Sequence, residues 1–181
     1  MSGIIQATNL QVDNIKHSGG TTAQTIDSSG RVTTPARPAF SVTRYGASNG
    51  TGLSGHITFD TATFNVGSCW DGTNKFQAPV AGIYFFSLTA FTSNGAAVQA
   101  DNSDIKLYIE QDTDSSFGSP TMLASGYTYL SGTAGYFNIS ISGAASLAAN
   151  EYVRVNCASG NIYTSTEASK YPPKFTGFLI G

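Results

Sequence analysis

The side chains of this sequence that could do chemistry are few, and their spacing supports little. His17 lies in a polar stretch and His56 in a glycine-rich turn, and neither has a cysteine or second histidine at metal-ligand spacing. Both read as solvated histidines. Asp101 with Asp104, and Asp112 with Asp114, sit among other oxygen-bearing residues in turn-like segments, where a calcium ion would be the chemistry to expect. Neither stretch has the central glycine and closing glutamate of a calcium-binding loop, so turn capping is the expected role. The glycines of residues 46–55 do not link a strand to a helix, so they form no phosphate cradle. Carboxylates in paired positions are too scarce for glycan cleavage. Cys69 and Cys157 each follow a strand-like alternation and read as small buried hydrophobes, with a bridge between them as the other reading. The sequence therefore predicts no enzyme, no cofactor and no metal beyond the calcium reading.

Tyrosines are the remaining candidates. Tyr127, Tyr129, Tyr136, Tyr163 and Tyr171 fall in or beside predicted turns among Ser, Thr and Asn. Tyrosine with small polar neighbours makes adaptable contact surfaces, including ones for sugars. The bland alternative is that these rings only cover the ends of the fold.

Composition narrows the partners. Charged residues make up 11% of the chain and the formal net charge is −2, against about a quarter charged in ordinary soluble domains. No basic run exists to attract nucleic acid, and no stretch approaches the roughly 20 apolar residues of a membrane helix. The first residues lack a charged start, apolar run and cleavage site, which predicts synthesis in a cytoplasm without a cleaved signal.

The elements that must position these residues fall into two parts, 1–36 and 37–181. All 11 Phe, all 9 Tyr and the one Trp follow Pro38. The preceding arm has only scattered aliphatic positions, Ile4, Ile5, Leu10, Val12, Ile15, Ile26 and Val32, so it needs a partner to bury them. Asp27-Ser28-Ser29-Gly30 predicts a turn within it, flanked by Thr25-Ile26 and Arg31-Val32 as a small hairpin.

Beyond Pro38 the period is two. Ile105, Leu107 and Ile109, then Phe137, Ile139 and Ile141, then Val153, Val155 and Cys157 alternate with mostly polar residues, as half-buried strands do. Shorter strands are expected at Phe40–Thr43, Ile57–Asp60, Thr63–Val66, Phe76–Val80 and Met122–Leu130. Turns are expected at 46–55, 71–74, 94–103, 112–119 and 158–161. Such a pattern predicts an all-β sandwich or jelly roll with no long helix. Ile83–Phe91 and Phe178-Leu179-Ile180 are apolar on both faces, which calls for a second cover, and another subunit is the favoured one.

Phe59, Asn65, Trp70, Phe76 and Gly82-Ile83-Tyr84-Phe85-Phe86, with Arg37-Pro38-Ala39-Phe40-Ser41 before and Phe175-Thr176-Gly177-Phe178-Leu179-Ile180 after, resemble the globular heads of the complement one-q family. The resemblance spans residues 38–181 and departs at Leu88, where an aromatic is expected. It implies a ten-strand antiparallel jelly roll of tumour-necrosis-factor type, assembled as a homotrimer, with Tyr84, Phe86 and Phe178 near the trimer contacts.

The arm is similar to the amino-terminal pieces of tailed-phage fibre and virion surface proteins, through Asn9–Ile15 and Thr25–Val32. That resemblance implies docking on other virion proteins and a virion-surface location, with Ile4, Ile5, Leu10, Val12, Ile15 and Ile26 as the docking residues. The head would then face the host, with a surface glycan as ligand of Tyr127, Tyr129, Tyr163 and Tyr171. A capsid-decorating trimer without a receptor, and a secreted lectin-like module, are the alternatives.

Overall fold

A computed structural model describes residues 11–45, 51–93, 103–131, 136–164 and 172–180. The chain divides at the Arg37–Pro38 bond into two compact units. The first holds three short antiparallel strands in the order β1 (Asn14–Lys16), β2 (Thr22–Ile26) and β3 (Val32–Thr33). The turn between β2 and β3 is built on Asp27. Its carbonyl accepts the Gly30 N–H at 2.8 Å, and its carboxylate accepts the amides of Ser29 and Arg31 and the Arg31 guanidinium. These bonds, the Arg31 amide first, hold the Asp27 carboxyl below its usual range. Of the arm residues, Ile4, Ile5 and Leu10 lie outside the described residues, Ile15 is exposed, and Val12 and Ile26 are half-buried.

The second unit is an antiparallel jelly roll. Its strands are β4 (Ala39–Thr43), β5 (Thr51–His56), β6 (Thr61–Val66), β7 (Phe76–Gln77), β8 (Gly82–Ser93), β9 (Ser103–Asp112), β10 (Thr121–Leu130), β11 (Tyr136–Leu147), β12 (Tyr152–Thr164) and β13 (Lys174–Leu179). One sheet runs β11-β8-β13-β4-β6; the other runs β10-β9-β12-β5, with β7 also paired to β12. No helix occurs among the described residues.

The period-two expectation holds for the long strands. Ile105, Leu107 and Ile109 of β9, and Val153, Val155 and Cys157 of β12, point inward and are buried. They meet Phe40, Phe86, Leu88 and Phe175 from the opposite sheet in one core.

Three sequence expectations need correction. Ile57–Asp60 is not a strand: Ile57 and Phe59 are buried, but their amides bond Val155 and Thr73 outside any ladder. The expected loop at 46–55 instead contains β5, whose Ser and Gly residues disguise it. The expected turn at 158–161 is a bulge inside β12, where the register slips between Cys157 and Ile162 and Gly160 takes φ +72°.

The fixed spacing of Asn65 and Trp70 has a direct cause. Asn65 Oδ1 accepts the Trp70 amide and its Nδ2 donates to the Trp70 carbonyl, both at 3.0 Å, so one side chain takes the place of a neighbouring strand. Trp70 is thereby delivered to the core, where its ring lies 5.2 Å from Phe40 and 5.8 Å from Phe59.

Gly177 sits where β13 passes between two rings. A Cβ there would stand 2.6 Å from both Phe40 Cε1 and Phe86 Cδ1. Each ring is fully buried and held by other aromatics, so neither can swing aside cheaply. Gly177→Ala is expected to destabilise the head by about 3 kcal/mol, at the upper end of ordinary overpacking, measured by urea denaturation. A change below about 0.5 kcal/mol, the size typical of surface substitutions, would mean that the core is looser here than the geometry states.

Candidate functional site

The features that stand out are two sheet faces. β8 is the second strand of its sheet, bonded to β11 on one side and β13 on the other. Its even-numbered residues Tyr84, Phe86, Leu88 and Ala90 are fully buried inside the sandwich. Tyr84 and Phe86 therefore cannot serve as subunit contacts. Both faces of the segment are apolar, so its sequence left the parity open, and the structure resolves it against the expectation. The Tyr84 hydroxyl is part of the reason, because it donates to the Val80 carbonyl at 2.8 Å inside the fold.

The residues that face out are their odd-numbered neighbours. Ile83 is 49% exposed, and Phe85 is half-buried beneath Phe178, with ring centroids 5.5 Å apart. Phe178, the third expected contact, is 41% exposed on this face. Ile180 continues the patch, its amide donating to the Ile83 carbonyl at 2.7 Å. Phe64 of β6 stands on the same face, opposite Ser41 of β4. Beside this apolar end the register lines up Ser41, Thr176, Ser87 and Ser142 across four strands, and Thr176 Oγ1 lies 3.2 Å from Ser41 Oγ. The face thus has an aromatic end, part-exposed at Ile83, Phe178 and Ile180, and a hydroxyl band.

The outer face of the other sheet is different. Tyr127 and Tyr129 of β10 are 61% and 51% exposed, but they stand on a strand and not in a loop. The register sets Tyr127 opposite Lys106 and Tyr129 opposite Asp104. The Tyr127 hydroxyl donates to Asp104 Oδ1 at 3.0 Å, which raises its pKa, and Lys106 Nζ pairs with Asp104 Oδ2 at 3.4 Å. Tyr163, expected on the surface, is buried in β12 opposite Gly52. Tyr171 and the side chain of Tyr136 lie outside the described residues.

Further along that face, Arg154 and Glu110 form an ion pair at 2.9 Å, with side chains 9% and 8% exposed. Asn156 Nδ2 donates to the second oxygen of Glu110 at 2.8 Å, and the Phe117 ring lies 4.0 Å from the guanidinium. Phe117 reaches this position from a loop residue with φ +52°, an uncommon conformation for a non-glycine. Neither the ion pair nor its aromatic lid was foreseen from sequence, since β12 is remote in the chain from β9 and the 113–120 loop that follows it.

The expected calcium ligands are otherwise engaged. Asp112 accepts the amides of Asp114 and Ser119, and Asp114 accepts the amide and hydroxyl of Ser116. Those bonds, the Ser116 hydroxyl foremost, hold the Asp114 carboxyl below its usual range. Asp104 is bound by Tyr127 and Lys106, and Asp101 lies outside the described residues. Among the described residues no group of three or more His, Cys, Asp or Glu could hold a metal. Cys69 and Cys157 are free and buried, and burial pushes both thiols up to about 11. The His17 ring accepts the Gly19 amide, and His56 is exposed on β5, lowered by partial desolvation and then by the Arg154 charge.

A two-sheet jelly roll with these strand pairings defines the complement and tumour-necrosis-factor class of β-sandwich. A family model described as the C1q domain matches residues 39–180, and the chain belongs to that family. Among solved structures it is similar to the globular domain of zebrafish complement 1qA protein, with a TM-score of 0.57 and 22% identity over 80% of this chain and 98% of that one. At that identity the likeness concerns the fold. No curated protein matches the chain.

Proposed function

We propose that the protein is a homotrimeric, non-catalytic binding module. The observation that carries this reading is the aromatic end of the β8–β13 face, where Ile83, Phe178 and Ile180 are each 41–49% exposed beside Phe85. A second copy of the same face is the simplest cover for it. Trimeric assembly would leave the outer tyrosine strip, Tyr127 and Tyr129 with Lys106 and Asp104, in three copies, so that a weak glycan site gains avidity without new contacts. On this reading residues 1–36 dock the trimer on a tailed-phage virion and the head meets the host surface; a capsid-decorating trimer without a receptor would use the same arm. Membership of the C1q family favours a second reading, a secreted lectin-like module with the same head.

Sedimentation equilibrium of the full-length protein tests the core of the proposal. Three times the 18.9 kDa chain mass is expected, and a stable monomer would remove it. Deleting residues 1–36 separates the two readings: a trimer that no longer joins the particle supports docking, and unchanged incorporation refutes it.

A further inference from the structure

The small N-terminal sheet has one finished face and one unfinished face. Cross-strand partners share a face, as do alternate residues of one strand. Asn14 stands opposite Thr25, and Thr25 opposite Thr33. That face is polar and closed on itself, with Thr25 Oγ1 donating to Asn14 Oδ1 at 2.9 Å. The other face sets Ile15 beside Gln24 and Ile26 beside Val32. Ile15 is 46% and Val32 59% exposed on it. The strands have three, five and two residues, and a sheet this small needs a second layer against its apolar face to persist in water.

The root of the arm identifies that layer. Residue 37 is bonded to Pro38, and Pro38 is fixed in the head, its carbonyl accepting the Leu179 amide at 3.0 Å. The next residue, Ile180, bonds Ile83. The arm therefore starts from the apolar end of the β8–β13 face, the end through which the subunits are proposed to meet. Three subunits joined there bring three roots together, and short tethers raise the effective concentration of the attached sheets to about the millimolar range. Of the paired positions on the open face only Lys16, opposite Thr22, is charged, and it stands at the end of β2 away from Ile26 and Val32, so three copies would not repel through the aliphatic end.

We propose that Ile15, Ile26 and Val32 pack against the same residues of the other two copies, making the arm a second trimerisation element. The proposal rests on the trimeric reading of the head. It also changes what a docking partner can reach: the polar Asn14–Thr25–Thr33 face is left outward, and the aliphatic one is consumed within the trimer.

The test uses the full chain. Val32→Asp places a charge on the open face at an exposed position that the isolated unit does not need, and Thr33→Asp places the same charge on the polar face. The concentration at which the trimer half-dissociates, read by sedimentation equilibrium over a dilution series, is expected to rise at least tenfold for Val32→Asp and to stay within twofold of wild type for Thr33→Asp. Equal effects of the two variants, or none, would overturn the proposal. A third variant lacking residues 1–10 covers the remaining occupant: if it reproduces the loss, those residues shield the face within one chain and the proposal fails. A monomeric wild type would overturn the trimeric head as well; a trimer indifferent to Val32→Asp overturns only the role of the arm.

Discussion

Phe178→Asp is expected to turn the trimer into a folded monomer. Phe178 is 41% exposed and its ring lies tilted against Phe85 from outside, so the core beneath it is not opened by the change. In the proposed assembly the same position is desolvated, and each subunit would bury a carboxylate beside Ile83, Phe85 and Ile180. Even a penalty of about 4 kcal/mol per trimer corresponds to roughly a thousandfold weaker association. Sedimentation equilibrium should report one chain mass in place of three, with an unchanged far-ultraviolet dichroism spectrum. A persistent Phe178→Asp trimer would place the contact on another face. A loss of fold would contradict the outward position of the ring.

Glu110→Ala should cost the isolated head more than any surface change. Glu110 accepts from Arg154 Nε at 2.9 Å and from Asn156 Nδ2 at 2.8 Å, and its removal leaves the guanidinium buried under Phe117 without its counter-charge. Breaking one partner of a buried pair costs about 3–5 kcal/mol, a large share of the roughly 5–15 kcal/mol that holds a domain together. The melting temperature should fall by about 10 °C, at about 2–4 °C per kcal/mol for a domain of this size. Replacing both partners with apolar residues of similar volume, Glu110→Met with Arg154→Leu, should recover most of the loss, because the penalty lies in the orphaned charge. A single variant within 2 °C of wild type would show that water reaches Arg154 freely.

How much of this was legible in the sequence differs by element. β9, β11 and β12 could be read because one polar and one apolar face leave a single parity. β8 could be located but not oriented, since Ile83 and Phe85 are as apolar as Tyr84 and Phe86. What decides is three-dimensional: the Phe40, Phe76 and Phe175 rings wait on one side of the sheet only. β5 was hidden for a related reason. Its Gly and Ser residues have low strand preference, and the strand exists because β12 offers it a free edge. Tyr163 was misplaced because residues 158–161 read as a turn, whereas β12 runs through them to Thr164 as one strand. The tyrosine strip was right in its exposed members, Tyr127 and Tyr129, and wrong about their setting. The ion pair of Glu110 and Arg154 was invisible, because its partners stand 44 residues apart.

The pairing of β4 with β13 also governs when the head can form. Ser41 and Thr176 stand side by side although 135 residues separate them. At about 5–20 residues per second, a ribosome needs on the order of ten seconds to supply the second after the first. In the last part of that interval, after β11 ends at Leu147 and before β13 is made, β8 has β11 on one edge and lacks its native partner on the other, with both its faces greasy. The nascent sandwich thus ends its synthesis as an unzipped sheet with a sticky edge, and it becomes a closed object only when β13 slides in between β8 and β4. Neighbouring nascent chains on one message would meet in that state, which makes the order of events during synthesis, and not the finished fold, the point at which wrong pairings between copies must be avoided.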